Sequence, residues 1–166
     1  MLYTPLRFPA VQDFCPGMLS QRARYALKAL LDVARASDGL SQVAAIAERE
    51  SIPRKFLETI MSDLRRAGLV TATRGNAGGY RLARPADLIT FADVLRATDG
   101  PISMLPCVSR NFYERCEDCR DEATCALRRT FSEVRDAVNA VLEHRTLAAA
   151  IAAEAHPAAA PETASV

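Results

Sequence analysis

The stretch Arg74-Gly75-Asn76-Ala77-Gly78-Gly79 limits the possible folds more than any other part of the chain. Glycine lacks a Cβ, so such a segment can turn sharply and let the backbone approach another surface closely. Residues 69–73 (LVTAT) and 80–82 (YRL) flank it with short β-prone runs. The pattern predicts a two-stranded hairpin.

Three helices are expected before it. In residues 20–36 (SQRARYALKALLDVARA), Tyr25, Ala26, Leu27, Leu30, Leu31 and Ala34 recur at three-to-four-residue spacing, which predicts a first helix stopped by Asp38-Gly39. Residues 41–50 form a short second helix with Val43, Ile46 and Ala47 turned inward. After a tight turn, Ser51 is placed to cap a third helix. Pro53 is tolerated in its first turn, where N–H groups lack intrahelical partners. Phe56, Leu57, Ile60, Met61 and Leu64 form its buried face, and Gly68 ends it. Two short helices joined by a tight turn match a helix-turn-helix, and a hairpin directly after one is a wing.

The free face of the third helix carries Arg54, Lys55, Glu58, Thr59 and Ser62. In a DNA-reading head that helix lies in the major groove. Lys55 and Thr59 then reach base edges, Arg54 neutralises phosphate and Glu58 accepts from a cytosine amino group. Arg74, at the wing, suits a narrow minor groove. Taken alone, the same residues also describe an ordinary solvated helix face.

Charge distribution favours the DNA reading. The chain of 166 residues is nearly neutral at +1, but residues 18–100 hold 13 basic against 9 acidic side chains, a net +4, and residues 101–166 are at −3. A cationic front half followed by an acidic rear half suits a nucleic-acid-binding head with a regulatory part behind it. With 49% hydrophobic and 25% charged residues the chain can bury one ordinary core. No run approaches the roughly 18 apolar residues of a membrane helix, and a membrane partner is not expected. Residues 1–17 lack a basic start and an apolar stretch, so they read as a flexible extension rather than a secretory signal, and the expected compartment is the cytoplasm. The regular pattern starts at Met18, which is an alternative start codon to Met1.

Four of the five cysteines, Cys107, Cys116, Cys119 and Cys125, fall within nineteen residues; only Cys15 lies elsewhere. In a reducing compartment such a group is metal-binding or redox-active rather than a disulfide framework. The Cys116/Cys119 pair, with two residues between them, lets two thiolates reach one metal from a single turn, and four thiolates suffice for zinc, [2Fe–2S] or [4Fe–4S]. Bare thiols remain an alternative. Glu114, Glu117, Asp118, Asp121 and Glu122 crowd the same loop, where Arg110, Arg115 and Arg120 are available to pair with them. His144 and His156 lie well downstream and read as structural or solvated.

Thr90 is a plausible N-cap for a helix through Phe91, Val94 and Leu95 that leads into the cysteine loop. Beyond the loop, Leu127, Phe131, Val134, Val138 and Val141 are spaced four, three, four, three, an a/d seam. A second copy of the chain is the economical partner for such a stripe, giving a two-fold dimer and predicting a pseudo-palindromic site on double-stranded DNA. The alternative is a helix packed back onto its own head.

The strings RARYALKALLDVA, PRKFLETIMSDLRRAGLV, TRGNAGGYRLARP and ITFADVLRATDG resemble the bacterial winged-helix regulator family that includes the iron-sulphur regulator IscR, the nitric-oxide sensor NsrR and the iron-responsive RirA. The resemblance runs from about Met18 to Ala153, and RGxxGGYRLAR is its most specific part. It implies a homodimeric transcription factor, in most members a repressor. It assigns a recognition-helix role to Lys55, Phe56, Glu58 and Thr59, a wing role to Arg74 and the loop from Gly75 through Gly78 to Gly79, and backbone contacts to Arg22 and Arg24. Family members usually supply three loop cysteines, so the fourth here leaves open whether Cys116, Cys119 or both ligate. The histidine that some relatives carry just after the last cysteine is absent, the third residue on being Arg128.

The expected architecture is mostly α with a small β-hairpin wing. It comprises a flexible extension (1–17), a winged helix-turn-helix head (18–100), a cysteine-rich loop (101–124), a dimerisation helix with a short terminal helix (125–154) and a disordered tail (155–166). The expected function is transcriptional regulation through an iron-sulphur cluster that senses iron, nitric oxide or redox state. A cluster-free zinc or thiol regulator is the first alternative, and an iron-sulphur or interaction protein that does not bind DNA is the second. No nucleophile–base pair, phosphate loop or cofactor fingerprint suggests an enzyme.

Overall fold

The computed structural model of the chain describes residues 19–36, 40–75 and 78–155. The extension 1–17, Met18, the Asp38-Gly39 stop, Asn76 and Ala77 in the wing, His156 and the tail from residue 156 lie outside them. The architecture is mostly α with one antiparallel hairpin, as the sequence implies.

Helix α1 (Gln21–Arg35) is the hub. Ser20 caps it by accepting from the Ala23 N–H. Its buried set is wider than the predicted stripe because Ala23, Ala29 and Val33 are also covered. Small side chains there let helices α2 (Val43–Arg49) and α3 (Arg54–Arg66), and later elements, close in from several sides. Two ion pairs fix the arrangement. Arg49 holds Asp32 at 2.7 Å, tying α2 to α1, and the buried Asp63 of α3 receives the guanidinium of Arg22 from α1.

The turn between α2 and α3 differs from expectation. Ser51 does not cap α3; it sits in the turn itself at φ 53°. Pro53 occupies the N-cap position and its carbonyl accepts from the Leu57 N–H at 3.0 Å. A proline fits there because its fixed φ already suits the chain's entry into a helix. Leu57, Ile60, Met61 and Leu64 are fully buried as predicted, whereas Phe56 is 40% exposed.

Strands β1 (Val70–Thr73) and β2 (Gly79–Leu82) pair antiparallel with Val70 opposite Leu82 and Thr73 opposite Gly79. Tyr80 also exchanges two 2.8 Å backbone hydrogen bonds with Ser41, so the wing is stitched to the start of α2. Gly68 has φ 71° where the chain leaves α3 for β1.

Helix α4 (Phe91–Thr98) starts with a reciprocal capping box between Thr90 and Asp93. A short 3-10 turn at Pro106–Val108 carries Cys107 and precedes the long helix α5 (Ala126–His144). The last helix, α6 (Leu147–Glu154), returns to the head, where the Leu147 N–H bonds the Ile89 carbonyl at 3.0 Å and its side chain is fully buried in the head's core. Glu154 pairs with Arg35 of α1 at 2.6 Å. The terminal helix therefore packs with the head, although it follows α5 in the chain. No helix among the described residues is long and apolar enough to cross a membrane.

Candidate nucleic-acid interface and cysteine site

At the start of α3, Arg54, Lys55, Glu58 and Thr59 are all exposed, on the face opposite the buried row. Arg54 and Glu58 form an i,i+4 ion pair at 3.0 Å, and the Thr59 hydroxyl donates to the Lys55 carbonyl at 3.3 Å. Glu58 thus already has a cation beside it. Phe56 meets the Tyr25 ring edge-on, with centroids 5.9 Å apart at 75°. The Arg24 guanidinium lies over that same tyrosine at 5.9 Å. Arg24 is exposed, and Tyr25 stands between its cation and Phe56 of α3.

Arg22 is placed differently. Its guanidinium bonds Asp63, which Arg66 also binds, and its Nε is buried without a partner. Two cations on one 9%-exposed carboxylate make this a structural joint between α1 and α3.

In the wing, Arg74 is exposed immediately after β1, and Gly75 adopts φ 113°, which a side chain would strain. The other two glycines serve the fold. A Cβ on Gly78 would collide with the Thr73 carbonyl and lie 2.7 Å from that of Gly75, and a Cβ on Gly79 would lie 2.7 Å from the Ser41 carbonyl.

The cysteine loop brings its thiols together in two pairs. Cys107 is buried at 5% exposure; Cys116, Cys119 and Cys125 are half-buried. The Cys119 N–H bonds the Cys116 carbonyl at 3.2 Å, which gives these two cysteines the single turn expected of their spacing. Cys125 is the N-cap of α5, its sulphur accepting from the Arg128 N–H at 3.5 Å. The adjacent Cys107 thiol, with burial adding to it, holds the Cys116 thiol above its ordinary ionisation range; burial and then Cys125 do the same for Cys119. Crowded thiols resist becoming thiolates together, and a cation placed among them reverses that preference. The four donors therefore fit a thiophilic metal by chemistry. Among the described residues, however, no three of the Cys, His, Asp or Glu side chains are already disposed to hold one ion.

The loop's charges pair otherwise than predicted. Arg110 binds Asp136 of α5 at 2.7 Å, Arg115 donates to the Cys119 carbonyl at 3.0 Å, and Glu122 accepts from the Tyr113 hydroxyl. His144 is exposed with its Nδ1 2.7 Å from the Ala140 carbonyl, a structural contact.

On α5 the apolar seam divides. Val134 and Val138 are half-buried, lining with Leu19, Leu95 and Met104 a cavity of about 140 Å³ against the chain's own head, whereas Leu127 and Val141 are 64% and 63% exposed. A neighbouring stripe went unnoticed in the sequence. Arg128 donates to the Cys107 carbonyl at 3.2 Å, Arg135 to the Val108 carbonyl, and Asn139 reaches the Ile102 carbonyl at 3.5 Å. Their heptad-like spacing of seven and four residues, displaced from the seam, was the available signal; polar residues on a helix otherwise read as solvated.

A helix-turn-helix with an exposed second helix, followed by a hairpin stitched to it, defines a winged-helix regulator. Comparison with known proteins narrows the class. Residues 19–153 match the model of the Rrf2 family, described as iron-dependent transcriptional regulators, and the chain belongs to that family. An Rrf2-like HTH-type transcriptional regulator of Rhodobacter capsulatus is 42% identical over 146 residues, covering 86% of this chain and 97% of the relative. The HTH-type transcriptional regulator IscR of Photobacterium profundum is 34% identical over 130 residues, covering 78% and 72%. Among solved structures, CymR of B. subtilis, described as its global cysteine regulator, superposes with TM-score 0.66 at 33% identity, covering 81% of this chain and 95% of that one. The relatives are named as transcriptional regulators rather than enzymes, so the chain is an HTH-type transcriptional regulator.

Proposed function

We propose that the chain is a cytoplasmic, homodimeric DNA-binding regulator, acting as a repressor, whose operator affinity is set by an iron-sulphur cluster on Cys107, Cys116, Cys119 and Cys125. The observation that carries this is the gathering of four thiols between the buried turn at Cys107 and the N-cap of α5. When bound, the cluster supplies an iron centre open to oxidation, nitric oxide and iron loss. The family description as iron-dependent and the likeness to IscR support iron.

The chain's own residues do the coupling. Cys125 caps α5, so a ligand state that engages its sulphur acts directly on the first turn of that helix. Leu127 and Val141 offer an exposed apolar stripe to a second copy, and the pairing fixes the separation of the two heads. A loop state favouring one head spacing must change operator affinity to the same extent. At the operator, Lys55 and Thr59 read base edges, Arg54 and Arg24 meet phosphates, and Arg74 enters the minor groove beside Gly75. Arg22 orients α3 through Asp63.

One observation favours a second reading. The likeness to CymR, described as a global cysteine regulator, suits a regulator working by bare thiols, with zinc as the other cluster-free option. Anaerobic purification with a visible spectrum and iron, acid-labile sulphide and zinc assays separates the two. Brown protein holding iron and sulphide near stoichiometry supports the cluster. Colourless protein after attempted reconstitution removes it and leaves zinc or thiol control.

A further inference from the structure

The segment that carries Cys107 is fastened to α5 by backbone carbonyls. Arg128 donates through Nε to the Cys107 carbonyl at 3.2 Å, while its own N–H bonds the Cys125 sulphur at 3.5 Å. One residue thus touches both ends of the cysteine loop. One residue beyond Cys107, the Val108 carbonyl accepts from Arg135, whose side chain is only 15% exposed. Arg135 is in turn gripped by Asp136 through two contacts of 2.9 Å, and Asp136 binds Arg110 at 2.7 Å. The turn is therefore held at Cys107, Val108 and Arg110, all from α5.

We propose that Arg128 and Arg135 are positioning residues that fix Cys107 in the frame of α5. Cys107 and Cys125 then form the rigid side of the thiol group, and the Cys116–Cys119 turn forms the side that moves to close on a metal. This rests on the reading that the four thiols share one ligand. It deepens that reading by naming what the ligand state acts against: closure of the Cys116–Cys119 turn on a metal loads Cys107 and Cys125, and that load reaches α5 through Arg128 and Arg135 as well as through the Cys125 cap.

The test needs no metal. Full-length, reduced, metal-free protein is alkylated with iodoacetamide at fixed pH, and the rate at each cysteine is read by peptide mapping. Wild-type Cys107 should be the slowest of the four. Arg135→Gln and Arg128→Gln should each raise its rate about tenfold, the order expected for losing one charge-assisted hydrogen bond, with Cys116 and Cys119 unchanged. Arg135→Lys should restore slow labelling. An unchanged Cys107 rate in both glutamine variants, or all four cysteines accelerating together as in general unfolding, would overturn the proposal. A parallel Co(II) titration of the wild type tests the shared-ligand reading separately. Absence of thiolate-to-cobalt absorption removes that reading while the alkylation rates still decide the anchoring.

Discussion

At the residue scale, similar side chains near the DNA face have distinct tasks, and salt dependence separates them. Removing a phosphate contact lowers the salt slope of binding by about one, whereas removing a structural joint does not. Arg54→Ala should weaken binding to every sequence and lower the slope by that amount. Arg22→Gln should instead leave the slope unchanged and cost about 1 kcal/mol in urea unfolding, because Asp63 keeps Arg66 but loses its joint to α1. A lowered slope for Arg22→Gln would return it to the DNA surface. Gly79→Ala, whose new Cβ would press on the Ser41 carbonyl, should cost about 1–3 kcal/mol by the same urea titration. Wild-type stability there would mean that the wing is not stitched to α2. Little of this was legible in the sequence. RGNAGG announces a turn, but that Gly79 serves Ser41 depends on a partner 38 positions away, and Arg22 looks like any other surface arginine until Asp63 is folded beneath it.

At the scale of elements, periodicity served well where one face of a helix was buried and the other wet. The buried row of α3 from Leu57 to Leu64, the Thr90 cap of α4 and the two strands stand where the pattern puts them. Ser51 misled because serine is common in turns as well as at caps, and here the turn took it, at a positive φ of 53° that serine rarely adopts. Phe56 misled because an apolar residue at helical spacing can pack on a neighbouring ring while staying half in solvent. Helix α5 carries the sharpest prediction at this scale. Its seam is only partly covered by the chain's own head, so Leu127→Glu with Val141→Glu should give a monomer by analytical ultracentrifugation, with an unchanged far-ultraviolet spectrum and sharply weakened operator binding. A persisting dimer would place the contact elsewhere.

At the scale of the whole molecule, α6 packs on α1 and buries Leu147 among the head's core residues, so the winged head and α6 share one core. Leu147→Ala should therefore cost about 2–5 kcal/mol and shift a single cooperative transition rather than split it. A separate early transition would show that α6 melts on its own. The sequence hid this return because residues 147–154 (LAAAIAAE) are mostly alanine and carry almost no facial pattern. It hid likewise the coupling of the cysteine loop to α5, which runs through carbonyls that no residue identity reveals. What it did make plain is the conjunction of a winged head with four close cysteines, and that conjunction is the central claim. The most direct test is operator affinity, at one fixed salt concentration, of anaerobically loaded wild-type protein, the same protein stripped by chelation, and Cys119→Ala. Loaded and stripped wild type should differ in affinity by a measurable factor, and Cys119→Ala should behave as the stripped form whichever way it was prepared. Equal affinity of the loaded and stripped forms would contradict it.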